Sequence, residues 1–185
     1  DRLEKQNCEK FPLLRRNLLY NTVKGMYEDE TELLREELKT LKIVLPDPPF
    51  ITAIMEVKSK KPEFPENSVR ESIAEKMISI VHGALYKEFK FVCFNGDDDQ
   101  LVLIAGITKT GTYASIIRKL NEIIRTANIK IRVTVTIGVG TECEKLSDIR
   151  ISYEKAGIAI KNGFLLIGNR VIEFGALRIE DTSGE

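Results

Sequence analysis

Between Tyr113 and Ile137 the spacing of the apolar residues changes period, and that change limits the folds open to the chain. Tyr113, Ile116, Ile117, Leu120, Ile123, Ile124 and Ala127 recur at i, i+3, i+4 and i+7, which places them on one face of an α-helix, and Thr112 offers a side-chain oxygen to cap it. Residues 131–137, IRVTVTI, then alternate strictly. Ile131, Val133, Val135 and Ile137 point one way and Arg132, Thr134 and Thr136 the other, so the spacing predicts a strand with a core face and a wetter face. A helix with a single apolar stripe, followed at once by such a strand, buries its stripe on a sheet.

The flanking segments extend this pattern. Residues 89–106, FKFVCFNGDDDQLVLIAG, read as a β-hairpin: two apolar runs joined by a turn holding Asp97, Asp98 and Asp99. Residues 50–57, FITAIMEV, form an earlier strand, and a helical stretch runs from Asn67 to about Tyr86. A last helix, from about Ser147 to Asn162, carries Ile149, Tyr153, Ala156 and Ile160 inward, before a Gly168-Asn169 turn and the closing strand VIEF. The first 45 residues are helical, with Phe11, Leu14 and Leu18 on one face and, after a break near Gly25, Leu34, Leu38 and Leu41 on another. LPDPPF, at 45–50, ends helix formation because its three prolines donate no amide hydrogens and bias their predecessors toward extended backbone. The expected division is therefore a helical linker or dimerisation segment over 1–46, an α/β domain over 47–178 and a tail over 179–185. The order of elements predicts an α+β, ferredoxin-like domain, a five-stranded and mostly antiparallel sheet flanked by helices with a helical lead-in.

Composition excludes several functions. With 28 basic and 28 acidic residues among 185, the chain has no electrostatic footprint for nucleic acid or an anionic membrane. No apolar run approaches the ~20 residues of a membrane span, so this segment makes no membrane contact, and a cytoplasmic location is expected. Cys8, Cys93 and Cys143 are odd in number and far apart, which fits free thiols better than a disulfide framework or a zinc site. His82 has no cysteine, second histidine or serine constellation around it and reads as a half-buried helix residue. The basic run KSKKP at 58–62 reads as a solvated loop, and the three aspartates as a solvated turn without a metal. Phe89 and Phe91 share a strand face, the arrangement with which some sheets stack single-stranded RNA. Burial decides that case, since a platform needs the rings in solvent and a core needs them under a helix. The chain starts at Asp1 in a charged helical pattern, which reads as a piece of a longer protein.

The hairpin resembles the one that carries the Gly-Gly-Asp-Glu-Phe signature of cyclases that make cyclic dinucleotides. Asp97, Asp98, Asp99, Gln100 and Leu101 stand under that motif. Aspartates replace the two glycines that let backbone approach a nucleotide, and Gln100 replaces the glutamate. Glu56 can stand for one metal carboxylate, but Lys58 takes the place of the next acidic residue. Further on, the TIGVG strand end with Gly138 and Gly140, the helix motif of Ser152, Tyr153 and Ala156, and the Gly168-Asn169 turn are similar to the degenerate GGDEF-like domain of bacterial AraC-type regulators, including YesN-type response regulators, and of PucR/CdaR-type regulators. Gly157 departs from that pattern, standing where a larger apolar residue is usual.

The resemblance implies a regulatory domain that has lost catalysis, is not an enzyme and holds no cofactor. It would relay a signal in transcription regulation, as in two-component systems, by dimerising through the lead-in helices at Leu14 and Leu18. The DNA-binding helix-turn-helix would lie outside this segment. The alternative is a degenerate receptor that still binds a nucleotide between the first strand and the hairpin.

Overall fold

Phe50–Ser59 form the longest strand, β1, whose first six residues are all buried, because both of its faces are covered by helices. The computed structural model describes residues 2–27, 32–59, 67–98, 100–163 and 168–177. Asp99, most of the KSKKP run and the 179–185 tail lie outside them. Two helices lead in, α1 (Arg2–Val23) and α2 (Glu32–Thr40); after β1 come α3 (Asn67–Leu85), β2 (Phe91–Asn95), β3 (Gln100–Gly106), α4 (Tyr113–Ile131), β4 (Val133–Val139), α5 (Ile149–Asn162) and β5 (Arg170–Glu173). The sheet order is β2-β3-β1-β4-β5, with β4 and β5 parallel and every other pair antiparallel. This is the expected ferredoxin-like α+β arrangement, extended by one strand. Among the described residues no helix is long and apolar enough to cross a membrane.

The two faces of the sheet carry separate cores. Ile51, Ala53 and Met55 of β1, Leu101 and Leu103 of β3 and Val133, Val135 and Ile137 of β4 meet α3 and α4 through Met77, Val81, Leu120 and Ile123. The alternation read from β4 holds, since Thr134 and Thr136 are only half-buried. Thr112 caps α4, accepting from the Ser115 amide at 3.3 Å. The helix runs further than its spacing indicated, to Ile131, and Arg132 at φ 54° ends it in the left-handed region, so the strand starts at Val133. Leu120 is fully buried, whereas Ile117 lies half-buried at the margin.

On the opposite face the helical segment expected to serve as a linker or dimerisation element contributes to the core. Leu18, Leu19 and Val23 of α1, Leu34 of α2 and Ile43 pack with Phe50, Ile54, Phe94, Val102, Ile104 and the α5 residues Ile149 and Tyr153. Packing thus crosses the proline-rich segment. Leu18 is 5% exposed and is spent on its own chain, while Leu14 is 50% exposed; of the two residues assigned to dimerisation, only Leu14 is free to meet a partner. Both lead-in helices end in the same way. Gly25 at φ 74° brings the Gly25 amide to the Thr22 carbonyl and the Met26 amide to that of Asn21, and Lys42 at φ 52° repeats the pattern with Lys39 and Leu38. Gly25 also touches α5, since a Cβ there would lie 2.4 Å from Arg150 Cδ.

The aromatic pair fails the test for a stacking platform. Phe89 precedes β2 and is buried beside Leu85, and Phe91 is half-buried against the α3 and α4 core with His82 edge-on to its ring.

Candidate functional site: the signature turn and its surroundings

The turn between β2 and β3 is closed by its own backbone: the Gly96 amide donates to the Gln100 carbonyl at 2.8 Å and the Gln100 amide to that of Asp97 at 2.9 Å. Asp98 sits at φ 47°, a conformation that aspartate tolerates better than most residues. Asp97 and Asp98 face solvent, Gln100 is half-buried, and Leu101 is a core residue of β3. The five signature residues therefore divide between a polar tip and a buried strand, with Asp99 outside the described residues.

The lead-in helix grips this tip. Arg16 and Tyr20 of α1 and Lys24, the residue just past its end, are spaced four residues apart and form one stripe. Arg16 donates through Nε to the Asn95 carbonyl at 2.9 Å and through Nη2 to that of Gly96 at 2.8 Å. The Tyr20 hydroxyl donates to the Asp97 carboxylate, and Lys24 Nζ lies 3.8 Å from the same carboxylate. Arg16 and Lys24 also stand 5.6 and 5.1 Å from the centre of the Tyr20 ring, and Lys24 stands 5.0 Å from that of Tyr153. Asp97, and after it burial, holds the Tyr20 phenol above its usual pKa. Burial lowers the Lys24 ammonium, but Tyr20 and Tyr153 outweigh it, so its pKa is raised. None of the three stripe residues was singled out in the sequence.

The motif residues Gly138, Gly140, Ser152, Tyr153 and Ala156 converge on one structural contact. A Cβ on Gly138 would stand 2.2 Å from the Ala156 carbonyl oxygen, and one on Gly140 would stand 2.0 Å from that of Ser152. These glycines let α5 lie directly on the strand ends. At the contact the Thr52 amide donates to Ser152 Oγ at 3.1 Å, and the Gly140 amide donates to the Thr52 carbonyl at 2.9 Å. The pairing resumes with the Phe50–Cys143 bridge, so residues 141 and 142 bulge from β4's continuation. Ser152 thus replaces a ladder partner. Tyr153, on the next residue of α5, links this contact to Lys24 and so to the turn.

Register places Glu56 opposite Gln100, beside the turn. Lys58 Nζ lies 3.2 Å from Glu56 Oε2 and supplies a positive charge at the one carboxylate assigned to a metal. Among the described residues no three His, Cys, Asp or Glu side chains are grouped to hold a metal ion. Cys93 and Cys143 are free thiols, pushed by burial up to about 12 and about 11, which keeps them protonated and poor nucleophiles at neutral pH. His82 stacks on Tyr86 on the exposed side of α3.

No curated protein sequence matches the chain. A family model described as the GGDEF-like domain matches residues 25–161, more than half of the chain, spanning α2, the whole hairpin and most of α5. With the sheet order, the turn and the glycine-mediated seat of α5 in place, the chain belongs to the GGDEF-like domain family.

Proposed function

We propose that this domain is a non-catalytic signal-relay module of a bacterial AraC-type transcriptional regulator, dimeric through its lead-in and acting on DNA through a domain outside residues 1–185. The observation that carries the reading is the clasp. The degenerate signature turn is held from the side by Arg16, Tyr20 and Lys24, so the place where a nucleotide's phosphates would need free backbone amides and cations instead joins the lead-in helix to the sheet. A displacement of α1 then reaches the hairpin through polar contacts and α5 through Lys24 and Tyr153. Lys58 on Glu56 adds to the case against Mg²⁺ catalysis, since a tethered ammonium competes with the ion for the carboxylate.

For dimerisation the available surface is the outer side of the lead-in, where Leu13, Leu14 and Leu33 are exposed. Isothermal titration with GTP and Mg²⁺ tests the non-catalytic reading, which expects no saturable heat; micromolar affinity would overturn it and favour a nucleotide receptor. Sedimentation equilibrium tests the dimer. The intact chain is expected to be dimeric and Leu14→Asp monomeric, and an intact chain that stays monomeric at high micromolar concentration would refute the interface.

A further inference from the structure

The strand β2 lies at the edge of the sheet, and its outward backbone groups are open. The Lys90 carbonyl accepts from the Gly106 amide and the Gly96 amide donates to Gln100, which sets the even residues of β2 toward β3 and turns the amides and carbonyls of Phe91, Cys93 and Asn95 outward. The Asn95 carbonyl is taken by Arg16. Those of Phe91 and Cys93, with their amides, have no hydrogen-bond partner among the described residues. A groove of about 970 Å³ runs along this edge, with Phe11, Arg15 and Leu19 of α1 on one side and Ile78, His82 and Tyr86 of α3 on the other.

We infer that this groove binds an extended acidic polypeptide segment of a partner protein, which joins the sheet as a sixth strand beside β2. The backbone of Phe91 and Cys93 supplies the pairing, and the apolar walls accept alternate side chains of the added strand. Charge selects the occupant. Arg15 and Arg16 line the groove with no carboxylate beside them among the described lining residues, while Lys90, also in the lining, is paired with Asp47 at 2.9 Å. Arg15 is exposed and makes no ion pair among the described residues. A second copy of this chain brought to the same edge would set one basic rim against another, whereas a strand flanked by aspartate or glutamate meets these cations. An open edge with apolar walls invites unwanted pairing unless it is charged or covered, and here the charge without an acidic partner, on Arg15 and Arg16, is positive.

The test is amide-resolved NMR of the whole chain titrated to millimolar concentration with an acetylated peptide of alternating valine and threonine bearing glutamates at both ends. The same peptide with lysines in their place serves as the comparison. The expected result is saturable shifts at Phe91, Cys93 and Asn95 with the acidic peptide only, weakened several-fold by salt and by Arg15→Glu. Equal binding of the two peptides, or no shifts at these amides, would overturn the inference. Protection of the Phe91 and Cys93 amides that grows with protein concentration in the absence of peptide would overturn it in favour of a second copy.

Discussion

Replacing Gly140 by alanine tests the seat of α5 on the sheet. The new Cβ would stand 2.0 Å from the Ser152 carbonyl oxygen and 2.7 Å from Ser152 Oγ, against the 3.5–4.0 Å or so at which carbon contacts are comfortable. Both near atoms belong to α5, and the carbonyl is backbone, so no rotamer change relieves the clash and the helix must retreat by roughly 1 Å or more. That retreat takes Ser152 Oγ beyond hydrogen-bonding reach of the Thr52 amide, now at 3.1 Å, and leaves a donor unpaired within the sheet. Overpacking costs about 1–3 kcal/mol and an orphaned buried amide about 1–3 kcal/mol, so Gly140→Ala should destabilise by about 2–6 kcal/mol. Urea denaturation measures this, and thermal melting should show a fall of roughly 4–24 °C. Ser152→Ala loses the hydrogen bond alone, about 1–3 kcal/mol, and the double variant should cost less than the sum because one loss is shared. A cost for Gly140→Ala below about 1 kcal/mol, or strict additivity, would refute the reasoning.

The Thr52 hydroxyl is fully buried and has no hydrogen-bond partner among the described residues, so Thr52→Val should raise stability by about 1 kcal/mol in the same denaturation assay. A Cβ at Gly157 would meet only Ile54 Cδ1, at 3.8 Å, so Gly157→Ala should stabilise α5 by up to about 1 kcal/mol, seen as a melting temperature raised by a few degrees. Val135→Asp should abolish the folded circular-dichroism signal by placing an unpaired charge in the core, whereas Thr134→Asp, on the half-buried face, should leave the domain folded; equal damage would mean that both faces are equally closed. Removing residues 3–26 should destabilise the remaining chain, because Leu18, Leu19 and Val23 leave the core with them; an unchanged urea midpoint would show that α1 is dispensable.

Much of the fold was legible because its signals are local. The β4 alternation, the α4 stripe and the Thr112 cap each lie within a few turns of chain, and together they prescribe the order of elements. The boundary at Ile131 was not legible, since an isoleucine suits both the end of a helix stripe and the start of an alternating strand, and only the left-handed Arg132 separates them. At the candidate site the turn was visible and its clasp was not. Arg16 and Tyr20 meet residues 77–80 positions away, and a basic-aromatic-basic stripe on a charged helix does not disclose which surface it faces. Gly138, Gly140 and Ser152 stood out as a motif, but the reason for them, a helix backbone within touching distance of a strand, is a property of two elements brought together.

Hydrogen exchange on the Arg16→Ala/Tyr20→Phe variant tests most directly the claim that α1 and the signature turn move as one. The double substitution removes both hydrogen bonds to the Asn95 and Gly96 carbonyls and the one to Asp97, while leaving Leu18, Leu19 and Val23 in the core. If these contacts hold the tip with about 1.4 kcal/mol, the amides of Gly96 and Gln100 should exchange about tenfold faster in the variant, with β1 amides such as that of Ile54 unchanged. Unchanged exchange at Gly96 and Gln100 would show that the turn stands by itself and would contradict the relay.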